Sequence, residues 1–73
     1  MVLVSRKVLS LAAMEELLRR AGADRVSEDA KEALRDALEE RAYELGKRAN
    51  TFSAHAKRKT VRGVDIQLAS KHE

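Results

Sequence analysis

The sequence predicts an all-α fold of three helices in the order short, long, short. Three observations carry this. The chain has no proline and three glycines, so little interrupts helical backbone. Ser10 and Ser27 each stand before an apolar run, where a serine hydroxyl accepts a bond from an orphan helix N–H. From Ser27 to the basic stretch at 57–62, apolar residues recur at helical period without a break.

The first helix is expected to begin at Ser10. Leu9 and Met14 fit a hydrophobic staple around that cap. Leu11, Met14, Leu17, Leu18 and Ala21 form an apolar stripe. Arg19 and Arg20 fall in the last turn, where cations suit the helix dipole. Gly22 is placed to end the helix in a left-handed conformation. Residues 1–9 form an arm ahead of a helical domain at 10–73. The arm is compatible with a helical extension, a strand along the helix, or disorder.

The second helix starts on Ser27, with Glu28 and Asp29 in its first turn. Its apolar positions are Ala30, Ala33, Leu34, Ala37, Leu38, Ala42, Leu45, Ala49, Phe52 and Ala56. A helix reaching about residue 56 is ~43 Å long at a rise of 1.5 Å per residue, against a usual length of ~11–12 residues. One short helix cannot cover such a stripe; a second copy of the long helix can. Leu34, Leu38, Ala42, Leu45, Gly46 and Ala49 are the expected core of that dimer. A mid-helix glycine costs about 1 kcal/mol against alanine, so Gly46 is expected to serve close packing; the other reading is a glycine merely tolerated. The third helix is expected over roughly 63–72, with Val64, Ile66, Leu68 and Ala69 apolar and no tail after it.

Seventy-three residues make one small domain, marginal by itself. There is no cysteine, so disulfides and thiolate sites are excluded. Only His55 and His72 offer imidazole ligands, and neither has a partner pattern, so no metal or cofactor is expected. Oligomerisation is the remaining remedy. No segment reaches the ~18 apolar residues of a membrane span. Arg6 and Lys7 interrupt the apolar start, against a signal peptide. A cytosolic protein is expected.

The net charge is +3, but its distribution says more. Lys47, Arg48, Lys57, Arg58, Lys59 and Arg62 fall in 47–62 with no acid among them. Residues 24–44 hold Asp24, Glu28, Asp29, Glu32, Asp36, Glu39, Glu40 and Glu44 against fewer cations. This segregation fits one basic edge facing a polyanion; a solvated charged surface is the bland reading. Lys57, Arg58, Lys59 and Thr60 stand at a helix–helix turn and look like a phosphate clamp, since lysines add charge and threonine a hydroxyl donor. Arg58 and Asp65 flank the turn and are placed to lock it, or to form a weak surface pair. There is no nucleophile–base pair, no glycine-rich phosphate loop and no metal spacing, so an enzyme is not expected.

The residues also carry a family resemblance. Ala-Gly-Ala-Asp-Arg-Val-Ser (21–27) and Glu-Asp-Ala-Lys-Glu-Ala-Leu (28–34) resemble the first loop and long-helix start of archaeal histones. Arg-Lys-Thr-Val (58–61) with Val-Asp-Ile-Gln-Leu-Ala (64–69) resembles their second loop and last helix. The resemblance covers about 11–70. It implies the histone fold, as an intertwined head-to-tail homodimer that binds and bends or wraps double-stranded DNA without base specificity. It implies that Arg25 enters the minor groove, beside a phosphate held by Thr60 of the partner subunit. It further implies that Lys59 contacts an adjacent phosphate, and that Arg58 and Asp65 form the salt bridge shaping the second loop. Arg19, Arg20 and Lys57 complete the expected DNA-binding set. Phe52, His55, Asp65 and Leu68 fall where these histones join dimer to dimer, giving tetramers or longer fibres, and Gly22 falls where successive dimers stack.

The chain departs from the family pattern in four places. Glu16 stands where a basic DNA-facing residue is common, Lys57 replaces a common glycine, Phe52 is bulkier than the usual aliphatic residue, and the arm is longer. Two other functions stay open. One is a histone-fold module that pairs with a different histone-fold chain in a regulatory complex. The other is a variant histone whose dimers bridge duplexes.

Overall fold

The computed structural model describes residues 7–71. They form three α-helices and no strand: α1 (Leu11–Arg20), α2 (Glu28–His55) and α3 (Gly63–Lys71). The expected order and boundaries hold; α2 ends one residue short of the expected 56, and His72 lies outside the described residues. The chain divides into two compact units, residues 1–40 and 41–73, with the boundary inside α2.

In the first unit, the Ser10 hydroxyl accepts from the Ala13 N–H at 3.1 Å and caps α1. Met14 is fully enclosed, but Leu9, its expected staple partner, keeps 36% exposure. At the far end Gly22 takes a φ of +114°. Its N–H donates to the Arg19 carbonyl and the Ala23 N–H to the Leu18 carbonyl, both at 3.0 Å. These two bonds are the Schellman pattern, which closes a helix on a left-handed residue. Ser27 caps α2 by accepting from the Ala30 N–H at 3.2 Å. Lys31 joins the two helices: its ammonium meets Glu28 at 2.7 Å and Glu15 at 3.3 Å.

The described part of the arm, residues 7–9, is neither helix nor strand. Glu39 holds it. This carboxylate, 7% exposed, accepts the backbone N–H of Val8 and, at 2.6 Å, that of Leu9. Lys7 pairs with Asp36 at 3.0 Å, one helical turn before Glu39. The rest of the arm lies outside the described residues.

In the second unit, Ala49 and Ala69 are fully buried. The Arg48 guanidinium donates to the Ala69 carbonyl in the last turn of α3 at 3.2 Å. Among the described residues the only fully buried apolar side chains are Met14, Ala49 and Ala69, while Leu17, Val64, Ile66 and Leu68 stay exposed. Of the expected dimer core, Leu34, Leu38, Leu45 and Gly46 are half-buried, Ala42 is exposed, and Ala49 is already enclosed by its own chain. A methyl group added at Gly46 would meet nothing within 4 Å. No neighbour in its own chain requires a glycine there.

Candidate nucleic-acid interface

The second loop is built from the end of α2. The Lys57 N–H donates to the Ala54 carbonyl at 2.9 Å and the Arg58 N–H to the Ser53 carbonyl at 3.0 Å, a second Schellman closure. Here the left-handed residue is not glycine: Lys57 has a φ of +59°. An L-residue pays about 1–2 kcal/mol for that conformation. The surrounding bonds must impose it.

Those bonds centre on Asp65, which is 1% exposed. The Arg58 guanidinium grips it with two parallel bonds, at 3.1 Å to Oδ2 and 2.9 Å to Oδ1. Such a fork-to-fork pair fixes geometry as well as adding energy. The same Oδ2 accepts the Arg62 N–H at 2.8 Å, reaching back from the third residue of α3 to its cap. The Arg58 guanidinium, and after it the Arg62 N–H, hold the Asp65 carboxyl below the usual carboxylate range despite its burial. Asp65 in turn raises the Arg58 guanidinium. Of the two readings of this pair, the structured bridge is the one observed. Arg58 also donates to the Thr60 carbonyl at 3.1 Å.

With Arg58 turned inward, Lys57, Lys59, Thr60 and Arg62 are left exposed on one short stretch without an acid. Backbone N–H groups, two ammoniums and a hydroxyl at the start of a helix make a phosphate-binding surface.

The first loop offers less. Arg25 is exposed. Arg19 closes the loop from within: it donates to Glu15 at 3.0 and 2.8 Å and to the Asp24 carbonyl at 3.0 Å. Arg20 donates to Glu16 at 2.9 Å. Both arginines of α1 are thus matched by a carboxylate one turn earlier. Arg19 first, then Lys31, hold the Glu15 carboxyl below its ordinary value.

Of the residues expected between dimers, His55 and Leu68 are exposed and Phe52 is half-buried. Asp65 is turned into its own chain. Two buried polar residues escaped the sequence reading: Glu39, which secures the arm, and Ser53, 1% exposed. The signal for Ser53 was its register, four residues after Ala49 on the apolar stripe. Among the described residues no cluster of His, Cys, Asp or Glu could hold a metal, and no helix is long and apolar enough to cross a membrane.

Comparison with known proteins points the same way. A family described as histone-like transcription factor (CBF/NF-Y) and archaeal histone matches residues 8–69. A subunit of the archaeal histone HAN1 from Thermococcus zilligii is 54% identical over 63 residues, 86% of this chain and 94% of that protein. Probable archaeal histone 3 of Methanocaldococcus jannaschii is 43% identical over 61 residues, 84% of this chain and 91% of that protein. A match that runs from the arm to the last helix places the chain in the family of histone-like transcription factors and archaeal histones, and its fold is the histone fold.

Proposed function

We propose that this chain is a chromatin protein whose homodimer binds and bends double-stranded DNA without reading base sequence. The second loop carries the reading: a buried Arg58–Asp65 pair holds Lys57, Lys59 and Thr60 outward in a stretch free of acids. Lysines on phosphates release counterions and supply affinity with little sequence information. Arg25, exposed on the first loop, enters the minor groove and responds to its width. Arg19 and Arg20 are secondary contacts, since Glu15 and Glu16 already engage them. The protein acts as a structural partner of the chromosome, not as an enzyme.

The dimer is supported by what the single chain leaves uncovered. Three fully buried apolar residues are too small a core for a stable domain. The half-buried Leu34, Leu38 and Leu45, with the open face at Gly46, are where a second long helix packs. Exposed His55 and Leu68, with Phe52, supply a further contact that joins dimers into tetramers or fibres.

A second reading is a chain that pairs with a different histone-fold protein. The neutralised face of α1 favours it, and the Thermococcus relative is by its name one component of a histone with distinct subunits. Replacing Lys59 and Thr60 together by alanine tests the DNA reading. Affinity is expected to fall alike on all duplexes, with the salt slope shallower by about 0.9 for each phosphate no longer neutralised. Unchanged affinity and slope would remove the clamp. Sedimentation of the purified protein tests the dimer: a monomer at micromolar concentration would favour the mixed pair.

A further inference from the structure

Ser53 lies near the end of α2 with its side chain sealed from solvent, 1% exposed. Its hydroxyl is placed to donate to two carbonyls of the second loop, those of Arg58 at 2.9 Å and Thr60 at 3.1 Å. One proton serves both, and Arg58 adds its own bond to the Thr60 carbonyl. These carbonyls therefore point inward. In a trans peptide the C=O and the following N–H point in opposite directions, and the described residues contain no cis bond. Turning the carbonyls of Arg58 and Thr60 inward turns the N–H groups of Lys59 and Val61 outward. Neither N–H is engaged by a carbonyl among the described residues. Both emerge beside the exposed Lys59 and Thr60 side chains.

From this geometry we infer that Ser53 is the positioning residue of the phosphate-binding loop, presenting the backbone N–H groups of Lys59 and Val61 to a DNA phosphate. The inference rests on the DNA-binding reading above. Ser53 touches no DNA itself. It acts by holding the two peptide planes that carry the donors, work that the Arg58–Asp65 pair does only in part, since Arg58 reaches the Thr60 carbonyl alone.

The test compares wild type, Ser53→Ala, Thr60→Ala and the double variant, each titrated with one duplex over a range of salt. Ser53→Ala is expected to weaken binding by roughly three- to tenfold, the size of one or two net hydrogen bonds, with a shallower salt slope. Thr60→Ala should then cost less in the Ser53→Ala background than in wild type, because the loop that positions Thr60 is already slack. Wild-type affinity and slope in Ser53→Ala, or costs that simply add, would overturn the proposal while leaving DNA binding in place. Failure of the wild type to bind would overturn both. A second measurement needs no variant. Titrating the wild type with inorganic phosphate and then a short duplex should shift the amide NMR signals of Lys59 and Val61 ahead of those in α2. Unshifted signals at saturating duplex would also overturn it.

Discussion

After α1 the chain turns on Gly22; after α2 it turns on Lys57. Both closures use the same pair of backbone bonds and the same positive φ. Glycine adopts that conformation at no steric cost, so the first loop asks little of its neighbours. Lysine does not, and the second loop is braced on three sides. Arg58 and Asp65 lock it, Asp65 caps α3, and Ser53 draws in two carbonyls. The bracing puts a cation at a helix C-terminus, where the dipole favours it. A residue type that accepts a backbone shape leaves a loop permissive. A network that imposes the shape also fixes the direction of every donor the loop carries.

The strongest way to break this contrast is Arg58→Ala. It strands a buried carboxylate, so it should lower the melting temperature more than any other substitution discussed, read by circular dichroism at fixed protomer concentration. It should also weaken DNA binding at least as much as the loss of Lys59 and Thr60. A variant that melts like wild type would show that the second loop holds without its salt bridge.

Acid acts on the same bond. Asp65 and Glu15 both have folded-state carboxyls below the ordinary range, Asp65 through Arg58 and then Arg62, Glu15 through Arg19 and then Lys31. Their contribution is therefore complete above the unfolded value of about 4 and is lost as pH falls through the lower folded value. Urea midpoints taken downward from neutral pH should stay level and then drop below about pH 4. Asp65→Asn should start lower and drop less. An equal drop in both would place the acid sensitivity elsewhere.

The comparison sharpens with two backbone substitutions of opposite sign. Gly22→Ala meets no neighbour within 4 Å, so its cost is conformational alone, about 1 kcal/mol of stability. Lys57→Gly should stabilise by a similar or smaller amount, about 0.5–1 kcal/mol, because glycine also loosens the unfolded chain. Chemical denaturation reads both. Destabilisation by Lys57→Gly would mean that the lysine side chain contributes more than its backbone strain costs. The smallest effect is expected from Glu16→Gln, which frees Arg20 at an exposed site. DNA affinity should rise by roughly twofold, the value of one weak exposed contact.

Much of the fold was legible because its signals are local. Ser10 and Ser27 act as caps, and Gly22 stops α1 with the predicted hand. The unbroken stripe gave α2 its length to within a residue. The site was legible in its charges and in the Arg58–Asp65 pair. What escaped was long-range or contrary to type. Glu39 is a carboxylate on an acidic helix, and only the arm, thirty-one residues away from it at Val8, buries it. Lys57 carries no sign of a left-handed backbone, since that shape is imposed by its neighbours. Ser53 reads as a small residue on an apolar stripe until the loop folds over it. Arg19 and Arg20 read as free cations because each carboxylate partner could as well have faced solvent.

The central claim is that the braced second loop serves a DNA backbone and not a base sequence. Titrating the wild-type protein against two unrelated duplexes over a range of salt tests it most directly. Equal affinity for both, falling steeply and in parallel as salt rises, is the predicted result. A strong preference for one duplex, or no binding even at low salt, would contradict it.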